Sequence, residues 1–327
     1  MLAATLRRSA WLSAAMIALT ACAAGSADDP IGDSFATDPD GGAPDAEDPG
    51  LDAGAEAQSQ EDGATPPEGG PVLDANPNDN DGSSAGTCAN GTSLIYVLGK
   101  NQGLYGFDPA TRAVNQVGTL SCPQNGGTAT PFSMAVDRNA VAWVLYNDGH
   151  LYRVETGTAA CTATSFVPDQ NGFKKFGMGF VSDAPGTNEE TLFAANEYGL
   201  GTIDVSSLVL EPVAGTFGFS AAAELTGTGD ARLFGLFFGF PPYISELDKI
   251  TSQLLDEKPL DTIDIGTGFA YAFWGGDFWV FTAPNGTSSQ VDRFDPVAGI
   301  ATTELSDVGF KIVGAGVSTC APVTRPK

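Results

Sequence analysis

Histidine is almost missing from this chain: His150 is the only one in 327 residues. A single imidazole excludes a metal site built from several histidines. It also leaves any Ser-His-Asp arrangement resting on one residue in the turn "NDGHLY", with no G-x-S-x-G elbow to present a serine. Lysine and arginine are scarce as well, 15 against 40 Asp and Glu, so the formal net charge is −25. Such a surface repels nucleic acid and anionic surfaces, and nucleic acid is not expected as a partner. There is no glycine-rich phosphate loop, and no apolar run approaches the roughly 20 residues of a membrane-spanning helix. Nothing in the sequence calls for a metal or a cofactor.

What is present falls into three parts. Residues 1–21 hold Arg7 and Arg8, then the apolar run "AWLSAAMIALTA", and small residues before Cys22. A basic start, a short hydrophobic stretch and a small-residue cleavage point describe a secretory signal. The end of that run, "LTAC" (19–22), resembles the lipobox of bacterial lipoproteins. That resemblance implies that Cys22 is lipidated and becomes the mature N-terminus. The alternative is an ordinary cleaved signal in which Cys22 has no such role. Ala23 stands where an aspartate would imply retention at the inner membrane, so the resemblance implies the outer membrane or cell surface, with the membrane contacted through Cys22.

From Cys22 to residue 86 the chain has little with which to build a core. Residues 23–86 contain sixteen Asp and Glu, no Lys or Arg, and a single aromatic, Phe35. One-signed charge and low hydrophobicity cannot offset the entropy of ordering, so this segment is expected to be a disordered acidic tether. A flexible chain of this length spans on the order of 45 Å, and more with self-repulsion. "DANPNDNDG" gathers calcium-type ligands beside a glycine but lacks the closing bidentate glutamate of the twelve-residue loop, so a solvated spacer is the better reading.

Residues 87–327 are different. Runs such as "LIYVLG", "VAWVLY", "TLFAAN", "RLFGLFFGF" and "DFWVFT" are short, β-branched or aromatic, and bounded by Gly, Asn, Asp and Pro. That pattern reads as strand, with no sustained helical period, and the body is all-β. Two series of acids recur within it. Asp108, Glu155, Asp204, Asp248 and Asp295 are spaced 47, 49, 44 and 47 apart, and Asp137, Asp183, Asp230 and Asp277 are spaced 46, 47 and 47 apart. A shared period near 47 residues is the length of a four-stranded propeller blade. The body has room for five: four contiguous units beginning near Ser133, Gly177, Ala222 and Tyr271, and a fifth assembled from both chain ends. "IVGAGVSTC" supplies the innermost strand of the fifth and "LIYVLGKNQGLYGFDPATRAVNQVGTL" the other three, which closes the ring and removes open sheet edges.

The four later cysteines follow from this plan. Cys320 ends the innermost strand of the split blade and Cys88 precedes the second, so a Cys88–Cys320 disulfide restores the missing turn, as an exported context permits. Cys122 and Cys161 then pair by elimination. The strand assignment puts those two near opposite ends of neighbouring outer strands, so the loop "PQNGGTATP" would have to fold back. Metal ligation by these cysteines lacks paired C-x-x-C spacing.

Candidate chemistry is thin. The innermost strands, "SMAVD", "GMGFVSD", "AELTGTGD", "AFWGGD" and "GAGVST", are mostly small residues, as crowding at an axis demands. Glu224 is the exception. With a second tunnel-facing acid it could protonate a glycosidic oxygen as propeller glycosidases do, but the repeated aspartates read as turn formers instead. Among aromatics, Phe132, Phe173 and Trp274 sit at or near inner strands, and Tyr243 lies in the loop "PPYISE". Those that reach a tunnel mouth can stack on a sugar or anchor a peptide, and the rest fill the core.

The phrases "PFSMAVDR", "FGMGFVSD", "AELTGTGD", "AFWGGDFW" and "IVGAGVSTC", with the lipobox and acidic tether, resemble propeller lipoproteins of predatory, social Gram-negative bacteria such as the myxobacteria. The resemblance implies a fold and an address, and brings no activity and no site residues. The sequence therefore leads to the expectation of a lipid-anchored, non-enzymatic recognition or scaffold propeller, its partner an envelope protein or a glycan. A lectin-like or hydrolytic carbohydrate-active propeller is the alternative.

Overall fold

The computed structural model describes residues 88–124 and 127–327. The expected signal, Cys22 and the acidic tether with its "DANPNDNDG" motif lie outside the described residues.

The strands follow the apolar runs. β1 (Ile95–Gly99), β2 (Gly103–Asp108) and β3 (Ala113–Thr119) come first, then β4 (Pro131–Val136), β5 (Val141–Tyr146), β6 (Leu151–Glu155) and β7 (Cys161–Ala163). Next are β8 (Gly177–Ser182), β9 (Glu190–Ala195), β10 (Leu200–Ile203) and β11 (Leu210–Pro212). They are followed by β12 (Ala223–Gly227), β13 (Leu233–Phe237), β14 (Tyr243–Leu247) and β15 (Leu254–Pro259). The chain ends with β16 (Phe269–Trp274), β17 (Asp277–Thr282), β18 (Gln290–Asp295), β19 (Ile300–Leu305) and β20 (Ile312–Val317).

They form five four-stranded antiparallel sheets, and the one that is not contiguous in sequence runs β20-β1-β2-β3. The innermost strands β20, β4, β8, β12 and β16 contact one another in turn, and β16 returns to β20, so the ring is closed. This is a five-bladed β-propeller. The split blade is blade 1, and blades 2 to 5 follow in chain order.

Why the second strand of each blade is a continuous apolar run becomes clear from the packing. In β5, Val141, Trp143 and Leu145 point into the core shared with blade 3, while Ala142, Val144 and Tyr146 point into the core shared with blade 1. Both faces are buried, so alternation is lost. Five such clusters fill the five gaps between blades. Outer strands have one wet face, and β15 is accordingly mostly exposed.

Around the axis, backbone meets backbone. A Cβ on Gly177 would run into the carbonyl oxygen of Ala223, and one on Gly227 into that of Phe180. Small inner-strand residues are therefore a steric requirement of the ring.

The acids of the first series each open the turn between third and fourth strands. Asp204 Oδ1 accepts from the amides of Ser206 and Ser207, at 2.7 and 3.0 Å, and Asp248 and Asp295 cap their turns likewise. Four residues on, Arg112, Ala159, Leu208, Ser252 and Gly299 all take a positive φ, and each amide returns to the carbonyl of its acid. The repeat in the sequence is thus a repeat of one turn.

Both disulfides form as paired above. Cys88–Cys320 spans 232 residues and joins β20 to β1, and Cys122–Cys161 spans 39. The second needs no folded-back loop, contrary to the expectation from strand ends. Each sheet twists from axis to rim. The upper end of β3 thereby lies against the turn before β7, where a Cβ on Gly118 would stand 2.9 Å from that of Ala159. The C-terminal segment adds a second closure: the amide of Gly275 donates to Pro322 O at 2.7 Å, and Arg325 bonds both Asp277 and Asp295 in blade 5.

Candidate functional site

All five inner strands run the same way, so their first residues meet on one face, here called the upper. They line a funnel of about 720 Å³. Blade 1 contributes Lys100 and Lys311, blade 2 Pro131 and Phe132, and blade 5 Thr267 and Phe269. Blade 3 brings Lys174 and Lys175 before its inner strand and Glu197 and Tyr198 on its second upper turn. Blade 4 supplies Ala222, Ala223 and Glu224.

Glu224 forms the floor. Its side chain crosses from blade 4 toward blade 2, where Ser133 Oγ donates to its Oε2 at 2.8 Å. Only 5% of the residue is exposed, and burial raises its carboxyl well above the ordinary carboxylate range, while the Ser133 hydrogen bond pulls it back only in part. Burial thus favours its uncharged form. No other carboxylate perturbs it. The one further acid lining the funnel is Glu197, at the rim, where it accepts from Ser220 Oγ at 3.1 Å. A glycosidase needs two carboxyls flanking one bond; the two acids of this funnel, Glu224 and Glu197, hydrogen-bond to Ser133 and Ser220 respectively and not to each other.

The aromatic candidates separate. Phe132 is half-buried and lines the funnel, with Lys175 Nζ 5.8 Å from its ring centroid. Phe173 is buried with Phe176 in the core between blades 2 and 3, because its position before β8 turns it inward. Trp274 lies at the far end of β16, on the lower face, donating to Ser93 O at 2.7 Å. Tyr243 stacks on Phe237 at 5.2 Å and fills the gap between blades 3 and 4. Its loop instead exposes Phe238 and Phe240, the latter almost fully, and Phe238 packs 6.2 Å from Phe269 at the funnel wall. His150 is an exposed turn residue beside Asp148.

Sequence reading missed the lysines. Four of the chain's seven, Lys100, Lys174, Lys175 and Lys311, line this one cavity. None of the four forms an ion pair among the described residues, whereas Lys258 and most arginines do. Lys311 Nζ donates to Thr267 Oγ1 at 2.7 Å, and its ammonium is held below the ordinary lysine range by burial and by Lys100 nearby. The signal was their position: each lies immediately before an inner strand or at the turn after the second strand, the segments that bound a propeller's upper mouth.

The lower face carries a smaller recess of about 110 Å³ beside the Cys88–Cys320 disulfide. Arg138 is buried there, donating to Thr319 Oγ1 at 3.2 Å and to Asn188 Oδ1 at 3.4 Å. Glu190 accepts from the Arg138 amide and the Thr319 hydroxyl, at 2.8 and 2.7 Å, and burial pushes it up to about 7. These groups satisfy one another and tie blades 1, 2 and 3 together. Among the described residues no cluster of His, Cys, Asp and Glu suits a metal ion, and no helix is long and apolar enough to cross a membrane.

No protein-family model matches the chain, and no curated protein sequence matches it. Among solved structures it is similar to "Dihydro-heme d1 dehydrogenase NirN in complex with DHE", at 10% identity and a TM-score of 0.32. The likeness covers 67% of this chain and 45% of that one, so the chain spans less than half the length of the structure it matches.

Proposed function

We propose that this chain is an exported lipoprotein, anchored through Cys22 at the outer membrane or cell surface, whose propeller recognises a ligand in the upper funnel without turning it over. The observation that carries the reading is the funnel's lining: unpaired lysines and accessible aromatics around the buried carboxyl of Glu224. That is the composition of a binding pocket, apolar walls with a few convergent polar groups. Its two lining acids, Glu224 and Glu197, are each engaged by a serine, Ser133 and Ser220, rather than by one another.

The myxobacterial resemblance agrees with an address at the outer membrane or cell surface.

The test is a binding and turnover screen with the full chain purified in detergent, over neutral and charged glycans. Retention that is lost on Phe132→Ala, with no product released, is the expected result. Turnover abolished by Glu224→Gln would establish the hydrolytic alternative instead. For the anchor, Cys22→Ser is expected to move the chain from the membrane fraction to the soluble one, and continued membrane partition would overturn lipidation.

A further inference from the structure

The four lysines are not spread evenly around the funnel. Lys100 and Lys311 belong to blade 1, and the amide of Lys100 bonds Lys311 O at 2.8 Å, which fixes the two backbones side by side. Lys174 and Lys175 belong to blade 3. Between them stands blade 2, which presents Phe132. Two cationic pairs thus flank one aromatic face, inside a chain whose net charge is −25. Leaving cations unpaired amid so many carboxylates keeps the funnel open to an anion that the remaining surface would repel.

We propose that the funnel binds a short oligosaccharide carrying at least two separated anionic groups, uronate carboxylates or sulfate esters, with one lysine pair at each charge and Phe132 against a ring face. The inference rests on the recognition reading above and names its ligand class.

Several features favour this chemistry over others. No arginine lines the cavity, so the planar fork that grips a single phosphate or carboxylate is missing, and dispersed ammonium charges suit dispersed anions. Aromatic faces beside polar groups suit a ring with an apolar side. A cavity of about 720 Å³ lies within the usual range for small ligands. Glu224, if ionised, would repel an anion from below. Burial favours its uncharged form and so weakens that repulsion. Burial and the nearby Lys100 disfavour the charge on Lys311, and an anion bound beside it relieves that cost.

The experiment is isothermal titration of the full chain with four probes: a galacturonate trimer, a sulfated heparin disaccharide, neutral maltotriose, and inorganic phosphate. One or both of the first two are expected to bind. Their relative affinities distinguish carboxylate from sulfate as the natural charge. Lys100→Gln with Lys311→Gln, and separately Lys174→Gln with Lys175→Gln, should each weaken binding at least tenfold, while Lys258→Gln on the outer strand β15 leaves it unchanged. Raising sodium chloride from 0.05 to 0.5 M should weaken it further. Phosphate binding as tightly as the trimer would overturn the two-anion requirement. Maltotriose binding that ignores both lysine pairs yet fails on Phe132→Ala would overturn the inference and leave the recognition reading intact. No binding by any probe, charged or neutral, would count against both.

Discussion

Ser133 and Glu224 meet across the propeller axis, their oxygens 2.8 Å apart, although they belong to blades 2 and 4, which are not neighbours. The pair closes the funnel floor and connects inner strands that are not neighbours in the ring. A buried carboxyl that loses its partner costs about 1–3 kcal/mol. Ser133→Ala should therefore lower unfolding free energy by about that amount in urea titrations. Glu224→Gln keeps a neutral acceptor of the same shape and should cost under about 1 kcal/mol. Equal losses from the two variants would show that an amide does not replace the carboxyl as the acceptor for Ser133.

The lower face predicts a pH dependence. Glu190 is pushed from 4.5 to about 7 by burial first, with Asp137 adding to the rise and hydrogen bonds from Thr319 and the Arg138 amide, together with the Arg138 charge, opposing it. Below 4.5 both folded and unfolded chains hold this proton. Between 4.5 and 7 the folded chain keeps it while the unfolded chain releases it, so stability falls as pH rises through that window and levels off above it. The drop attributable to this group is up to about 3 kcal/mol. Denaturation at pH 4.5 and at pH 7.5 should show it, and Glu190→Gln should reduce it. A variant with an undiminished slope would place the titration elsewhere, with Glu224 the next candidate because it shifts in the same direction.

How much of this was readable beforehand depended on repetition. Asp204, Asp248 and Asp295 announce one turn at one period, and the period sets the blade number. Cys88 and Cys320 pair because only one place in such a ring lacks a covalent turn. The site was less legible. Phe173 and Phe132 both sit near the starts of inner strands, yet one enters the core and the other the funnel. Strand assignment does not carry the twist that decides between them. The twist also escaped the reading of Cys122 and Cys161. Lys100, the adjacent Lys174 and Lys175, and Lys311 converge only through closure of the ring, and a one-dimensional scan for basic runs has no means of seeing that.

The two disulfides should differ in kind. In the chain-entropy picture a 232-residue loop is worth about 5 kcal/mol and a 39-residue loop about 4 kcal/mol. The local consequence separates them further. Cys88→Ala with Cys320→Ala removes the covalent link between the ends of β20 and β1 and leaves them held by noncovalent contacts. Hydrogen exchange in those two strands should then accelerate ahead of the other blades. Cys122→Ala with Cys161→Ala should loosen β3 and β7 only, leaving β20 protected. Uniform acceleration across all blades in the first variant would mean that the ring opens as one unit and that the bridge has no local role.

Gly177 gives the sharpest test of packing at the axis. Its φ is not among the positive ones, so alanine suits its backbone and, in an exposed strand, would stabilise slightly. Here the added Cβ collides with the carbonyl oxygen of Ala223 and with the Glu224 backbone, neither of which can rotate away. Blades 3 and 4 would have to separate, at about 2–3 kcal/mol, typical of overpacking. That separation would also shift the Glu224 backbone away from Ser133. Gly177→Ala should consequently combine a lower urea midpoint with altered ligand binding in the funnel. Gly157→Ala, in a turn with nothing within 4 Å of the new carbon, should change neither. If Gly177→Ala unfolded at the same midpoint as Gly157→Ala, the inner strands would not be in backbone contact, and the steric reason for their small residues would be wrong.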